Sequence, residues 1–242
     1  MRFLGIAALV LLLFGGLACR IAPHASNSEP EAVAPDQILG FDVLYRQNCS
    51  GCHGNNGKNG PAPPIGDPIY LALANDATIR HFAANGVPGT PMPAFAQSAG
   101  GMLTDKQIDA LVNGIRSRWA NPAALNGLSP PPYSGQAMGD SSRGAKVYAA
   151  YCASCHGSKG KGGPRGSSIV DSSFLALTSD RGLRISVIVG RSELGFPDWR
   201  NDVPGHPMAD QDISDVVAWI AEQRPKFPGQ PYASSSKAGD TR

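Results

Sequence analysis

The sequence predicts a helical, loop-rich protein built from two tandem copies of one small unit, and three observations carry that expectation. The pattern C-x-x-C-H occurs twice, at Cys49–His53 and Cys152–His156, with equivalent positions 103 residues apart. Each copy is followed, beyond Gly- and Pro-rich loops, by a stretch whose apolar residues recur at helical spacing. Between the copies, residues 121–138 contain Pro122, Pro130-Pro131-Pro132 and Gly135, a semi-rigid linker that breaks any helix.

Composition supports this outline and narrows the function. Of 242 residues, 42% are hydrophobic, which excludes wholesale disorder, while 29 Gly and 21 Pro point to much irregular chain. Lys and Arg number 21 against 19 Asp and Glu, a formal charge of +2 that is too balanced for a nucleic-acid binder. Five cysteines are too few for a disulfide-dense scaffold, and their odd number sets one apart from the two pairs.

The odd cysteine is Cys19. Met1-Arg2 leads into an almost uninterrupted apolar run from Phe3 to Leu17, closed by Gly15-Gly16-Leu17-Ala18-Cys19. The run is short for a spanning helix and reads as a secretory signal over residues 1–18. It resembles a bacterial lipoprotein signal, departing from that pattern at Gly16, where Leu is usual. The resemblance implies that Cys19 becomes the lipidated first residue of the mature chain; an uncleaved anchor helix is the alternative. Residues 19–35, with three prolines and no hydrophobic period, form a tether, and His24 within it is a solvated linker residue.

The paired cysteines carry the chemistry. Two thiols spaced x-x on one turn reach the two vinyl groups of a haem, and the adjacent His coordinates the iron from one face. A structural zinc site would bring its second Cys pair within about 20 residues and would leave both His unexplained. A thioredoxin-like redox pair needs a βαβ setting, and no strand pattern precedes either copy. Haem attachment at Cys49, Cys52 and His53, and again at Cys152, Cys155 and His156, is therefore expected.

The repeat extends beyond the motif. Tyr45 and Tyr148 each stand four residues before the first Cys, and Gly57-Lys58-Asn59-Gly60-Pro61 answers Gly160-Lys161-Gly162-Gly163-Pro164. Thr104-Asp105 opens a helix bearing Ile108, Leu111, Val112 and Ile115; Asp210 or Asp212 opens its counterpart bearing Ile213, Val216, Val217 and Ile220. These boundaries give one domain over residues 36–120, a second over 139–227, and a loose tail over 228–242 rich in Gly, Pro and Ser.

Each unit resembles a class I cytochrome c domain, and the whole resembles an exported dihaem cytochrome c. The resemblance implies an all-α fold of two tandem domains, each a few helices wrapped around a covalently attached haem c. A domain under about 90 residues has a marginal core of its own, so the haem would supply part of the apolar interior. It also implies an aromatic packed near the glycine of the first helix. Trp219 and Gly144 meet that pattern, whereas in the first unit the matching place is Gly114, so the contact there must be built differently.

A family domain usually places a Met on the far face of the iron. In the first unit Thr90-Pro91-Met92-Pro93-Ala94-Phe95 matches the family's M-P-x-F loop, 39 residues after His53, and makes Met92 the expected ligand over Met102. The second unit does not repeat this. Forty residues after His156 stands Phe196, in Gly195-Phe196-Pro197-Asp198-Trp199, and Phe cannot ligate iron. The donors nearest in sequence are Met208 and His206; Met208 is the expected ligand, His206 the alternative, and an open iron the third outcome. His81 is read as an ordinary amphipathic position, and Arg80, Arg116, Arg184 and Arg191 as partners of haem propionates or as solubilising charges.

The resemblance implies an electron-transfer protein rather than an enzyme. Tethered through Cys19 on the periplasmic side of a membrane, it would relay single electrons between redox partners, among them subunits of a respiratory or photosynthetic complex. The competing expectation is a dihaem enzyme, peroxidase-like, with an open second haem. No G-x-S-x-G, H-E-x-x-H or phosphate-loop motif points to other chemistry.

Overall fold

A computed structural model describes residues 32–226 except Asp202 and Pro204. The expectations placed on Cys19, on His24 and on the segments 1–18 and 228–242 lie outside the described residues.

The described chain is helical, and the two halves share one order of elements. The first half runs α1 (Phe41–Asn48), the single turn α2 (Ser50–His53), α3 (Pro68–Leu73), α4 (Asp76–Asn85) and α5 (Asp105–Trp119). The second runs α6 (Ser141–Tyr151), the turn α7 (Ala153–His156), α8 (Ser172–Leu177), α9 (Asp180–Val189) and α10 (Asp210–Glu222). Among the described residues there is no strand beyond two isolated bridges, Ala96 with Leu103 and Arg191 with Phe196. This is the all-α pair of domains that the resemblance implied.

The helices start where side chains can satisfy otherwise orphaned N–H groups. Asp67 accepts from Ile69 N–H at the start of α3, with Pro68 at the first helical position, and Asp171 does the same for α8 from Ser173 and Phe174. Asn75 and Ser179 cap α4 and α9. Thr104 and Gln107 form a reciprocal capping box on α5; at α10 the Asp212 carboxylate accepts from Ala209 N–H at 3.0 Å. The second expected helix therefore begins at Asp210, with Asp212 inside its first turn.

In each half the first helix crosses the last, and a glycine permits the approach. A Cβ on Gly144 of α6 would lie 2.0 Å from the Asp215 carbonyl oxygen and 2.8 Å from Trp219 Cβ, both on α10. In the first half the roles exchange helices: Gly114 sits on α5, and a Cβ there would lie 2.1 Å from the ring of Phe41 on α1. Trp219 stacks on Tyr148 at 4.3 Å between ring centroids. Trp119 instead meets Phe41 and Tyr45 edge-on at 5.5 and 5.0 Å. Buried Asp215 fixes the second crossing further, accepting from Asp140 N–H at 2.7 Å, Arg143 Nε at 2.7 Å and Gln211 Nε2 at 2.8 Å.

The halves share one of their two buried clusters. One buried cluster joins Ile69, Tyr70, Ile79 and Ile115 of the first half to Leu183, Ile188, Met208 and Val216 of the second, and residues 35–226 belong to one compact unit. A second cluster, Leu44, Tyr45, Leu103, Ile108 and Leu111, belongs to the first half alone. The connecting stretch is pinned down on both sides. Arg184 of α9 donates to the Pro132 carbonyl at 2.9 and 3.1 Å, and Tyr133 stacks on Phe82 of α4 at 6.2 Å. Polar contacts cross as well: Arg191 Nη2 donates to the Gly60 carbonyl at 3.0 Å, and Ser192 Oγ to Asp67 Oδ2 at 3.1 Å.

Candidate haem-attachment sites

The first site is built on one helical turn. Cys49 ends α1 and caps α2, its N–H donating to the Tyr45 carbonyl at 2.8 Å. His53 closes the turn, its N–H donating to the Cys49 carbonyl at 2.9 Å. Cys49 is half-buried, Cys52 exposed, and His53 buried. The chain then reverses through Gly54 at φ 77°, where a Cβ would strike the Lys58 carbonyl oxygen at 1.7 Å. The loop returns close over the motif: a Cβ on Gly60 would lie 2.1 Å from the Cys52 carbonyl oxygen. The Tyr45 hydroxyl ties helix to loop, donating to the Gly54 carbonyl at 2.7 Å.

The second site repeats this frame. His156 N–H donates to the Cys152 carbonyl at 3.0 Å, Gly157 reverses the chain at φ 78°, and the Tyr148 hydroxyl donates to the Gly157 carbonyl. A Cβ on Gly163 would lie 2.4 Å from the Cys155 carbonyl oxygen, the counterpart of the Gly60 approach.

The orientation of the two imidazoles tests whether the residues suit a haem. His53 Nδ1 lies 2.9 Å from the Pro63 carbonyl oxygen, and His156 Nδ1 lies 2.8 Å from that of Ser167. A carbonyl only accepts, so each Nδ1 carries a proton, which directs Nε2 to be the metal-binding nitrogen, the arrangement that metal-bound imidazoles adopt. Burial holds the His53 pKa below its ordinary value, against the opposing pull of the Pro63 carbonyl, and keeps the ring neutral. The four thiols are free of disulfides. Burial, with a smaller contribution from the neighbouring thiol, pushes Cys49 up to about 12 and Cys152 up to about 11. Uncharged sulfur is what a thioether also presents. The donor set therefore suits covalent haem at both sites. Among the described residues no group of three or more His, Cys, Asp or Glu is gathered for a metal, so the zinc alternative has no set of ligands.

The loops that lead from α4 to α5 and from α9 to α10 carry the other expected ligands. After α4, Gly86 turns the chain at φ 69° and the next residue, Val87, donates its N–H to the Met92 carbonyl at 3.1 Å. Met92 is half-buried, its own N–H donating to Thr90 Oγ1 at 3.3 Å. Met102 is 83% exposed and stands clear of the interior. After α9, Gly190 turns at φ 67° and Arg191 donates its N–H to the Phe196 carbonyl at 3.1 Å. A Cβ on Gly86 would strike the Pro93–Ala94 peptide, and one on Gly190 the Pro197–Asp198 peptide. Phe196 thus holds the backbone position of Met92, and its ring stacks on His156 at 5.3 Å and 19°.

Met208 belongs to a different position. Its N–H donates to the Trp199 carbonyl at 2.8 Å, as Leu103 N–H donates to that of Phe95 at 2.7 Å, and each residue immediately precedes a helix cap. Met208 is 5% and Leu103 6% exposed, each within a hydrophobic cluster. His206 is exposed.

The remaining candidates have structural partners. His81 is exposed on α4 beside Asn85. Arg80 binds Asp105 and Asp109; Arg116 binds Asp76 and the Ala74 carbonyl; Arg184 binds Asp210; Arg191 binds Glu193 and the Gly60 carbonyl. What sequence reasoning missed is the pair of carbonyl acceptors, Pro63 and Ser167, which act through backbone and leave no side-chain signature. The hydroxyl role of Tyr45 and Tyr148 did leave a signal, their equal distance from the motif.

Comparison with known proteins agrees with this geometry. Residues 40–113 match the family model described as cytochrome c oxidase, cbb3-type, subunit III, and residues 141–224 match that of cytochrome c. The cbb3-type cytochrome c oxidase subunit FixP of Sinorhizobium medicae is 30% identical over 154 residues, 57% of this chain and 47% of that protein. The cytochrome bc1 complex cytochrome c subunit of Mycobacterium bovis is 24% identical over 156 residues, 64% of this chain and 55% of its own length. The dihydro-heme d1 dehydrogenase of Pseudomonas aeruginosa is 35% identical over 112 residues, 46% of this chain and 18% of that protein. The chain thus spans about half the length of the first two relatives and much less of the third.

Proposed function

The chain belongs to the cytochrome c family through both of its halves, and on that premise we propose a dihaem c-type electron carrier that relays single electrons between redox partners. Cys49 and Cys52 would hold one haem c with His53 as its protein donor, and Cys152 and Cys155 would hold the other with His156. When bound, the haem iron supplies reversible one-electron chemistry. The chain's part is to attach, orient and shield it. The observation that carries this reading is the duplicated imidazole geometry, Nδ1 committed to a backbone carbonyl at 2.9 Å in one half and 2.8 Å in the other.

Met92 would offer the first haem its second protein donor. It lies on a loop between two prolines, with its backbone held by the turn at Gly86 and the bond to Thr90. Thioether ligation raises the reduction potential and saturates the iron, which suits a carrier. The shared core and the Arg191–Gly60 contact hold the two halves together, so both attachment sites would belong to one packed unit.

The reading extends to placement. Lipidated at Cys19, the protein is held at the periplasmic side of a membrane, where its partners include subunits of respiratory complexes of the kind named among its relatives. Two measurements test the proposal. Protein made in cells that attach haem c should contain two haems per chain and titrate in two one-electron steps; fewer than two haems would overturn it. Cys19→Ala should move the protein from the membrane to the soluble fraction, and retention would refute the lipid anchor.

A further inference from the structure

The two halves differ most where their frames agree best. From the α-helix glycine onward the loops run in register, Gly86 with Gly190, Val87 with Arg191, and Pro93 with Pro197, and this places Met92 opposite Phe196. Phe196 offers carbon where Met92 offers sulfur, and its ring lies against His156 rather than in the core cluster. The two other donors of this loop are placed elsewhere. Met208 occupies the register of Leu103, a position that the first half fills with a purely apolar residue, and it is enclosed by the core. His206 faces solvent, with its carbonyl taken by Asn201 Nδ2 at 2.7 Å and its N–H by the Val203 carbonyl at 3.1 Å.

We propose that the second domain supplies no sixth ligand, because Phe196 holds the backbone register of Met92 and brings only carbon to it, and that a haem held by His156 would therefore admit a small neutral diatomic molecule such as carbon monoxide. Phe196 would then be the residue that makes the two haems unlike, one met by Met92 and the other left with an open position. An aromatic ring beside the site favours uncharged guests over anions, since nothing on Phe196 can donate to a charged one. This inference rests on the dihaem reading above and adds to it a ligand-binding site. It replaces the expectation that Met208 ligates, for the physical reason that a residue locked by backbone into a packing position cannot also stand over the iron without undoing that core.

The test uses the full holoprotein, with two haems per chain and reversible reduction verified first; failure there overturns the carrier reading and not this one. Carbon monoxide added to the reduced protein should shift the spectrum of half the haem. Phe196→Met should abolish that shift and add a second Met–iron charge-transfer band in the oxidised form, while Met208→Ala and His206→Ala should bind the gas as the parent does. A parent protein that leaves the gas unbound overturns the proposal. If Met208→Ala or His206→Ala then becomes competent, that residue is the ligand. Because the parent and Met208→Ala spectra alone decide the matter, a Phe196→Met protein that fails to fold leaves the proposal testable.

Discussion

The glycine at each helix crossing gives a quantitative test of how the two halves are built. In Gly144→Ala the new methyl would lie 2.0 Å from the Asp215 carbonyl oxygen, 2.6 Å from its carbon and 2.8 Å from Trp219 Cβ. None of these atoms can rotate away, so α6 and α10 must separate by about 1 Å or more to restore ordinary contact. Overpacking of a fixed interior costs roughly 1–3 kcal/mol, and a purely backbone clash belongs at the upper end. Alanine returns about 1 kcal/mol of helix propensity. The net loss is about 2 kcal/mol, or a fall in Tm of roughly 4–8 °C for a unit of this size. Gly114→Ala is the comparison, because its methyl meets the Phe41 ring at 2.1 and 2.3 Å and Phe41 Cβ at 2.8 Å, and Phe41 is half-buried at a helix start, where the ring can swing aside. Its net cost should be smaller, about 1 kcal/mol, and should shrink further when measured in a Phe41→Ala background, which removes the ring. No side-chain change can recover Gly144→Ala. Denaturant unfolding of the holoprotein, followed by Soret absorbance and far-ultraviolet circular dichroism, reads both. Equal stability of Gly144→Ala and the parent, or a larger loss in Gly114→Ala, would refute the crossing geometry.

Further expectations follow from named contacts. Tyr148→Phe and Tyr45→Phe each remove a buried hydroxyl bonded to the glycine carbonyl after the motif, and should cost about 1 kcal/mol apiece in the same unfolding assay with haem retained. The Asp215 carboxyl is held at about 2 chiefly by its hydrogen bond to Arg143, below its ordinary 3.8. Its folded value is depressed, so its stabilisation is complete above about pH 4 and drains away as pH falls toward 2. Half-exposed Arg143 is screened by solvent, so the stake is about 1–2 kcal/mol. Asp215→Asn should flatten that acid limb, and an unchanged limb would assign it to other carboxylates. Arg191→Ala removes the bond to Gly60 and leaves the nearly buried Glu193 without its cation, and should cost about 2 kcal/mol. It should also speed limited proteolysis within residues 121–138.

Much of the site was legible because its chemistry is covalent and local. Two thiols and a His on one turn need only five consecutive residues, so Cys49–His53 and Cys152–His156 could be read directly. The closing helices were legible for a related reason: Ile108, Leu111 and Ile115, or Ile213, Val216 and Ile220, record a 3.6-residue period. The exchange of glycine and aromatic between helices was half visible, since Gly114 stood where an aromatic was due. Its partner Phe41 emerges only from packing. The shared core was not legible at all. An apolar residue such as Ile69 or Met208 carries no mark of which neighbour it buries against, and a Pro-rich linker reads the same whether it floats or is pinned by Arg184 and Tyr133.

The pairing of Met208 with Leu103 follows from how the numbering of the two halves drifts apart. Equivalent positions are 103 residues apart through the motif, 104 at the α4 and α9 caps, and 105 at the closing helices. Each extra residue is absorbed in a loop and shifts the pairing by one. The middle offset pairs Phe196 with Met92, and the last pairs Met208 with Leu103. The ladder bonds fix the first of these pairings, because Val87–Met92 and Arg191–Phe196 close rings of equal size whatever precedes them. The same bonds divide what the duplication kept from what it changed. The side bearing the thiols and His is kept down to the carbonyl behind each imidazole. The facing loop keeps its backbone and changes its side chain. On the proposed reading, a potential or a ligand preference could be altered at Met92 or Phe196 without disturbing attachment, and that separation would let one fold carry two haems of different character.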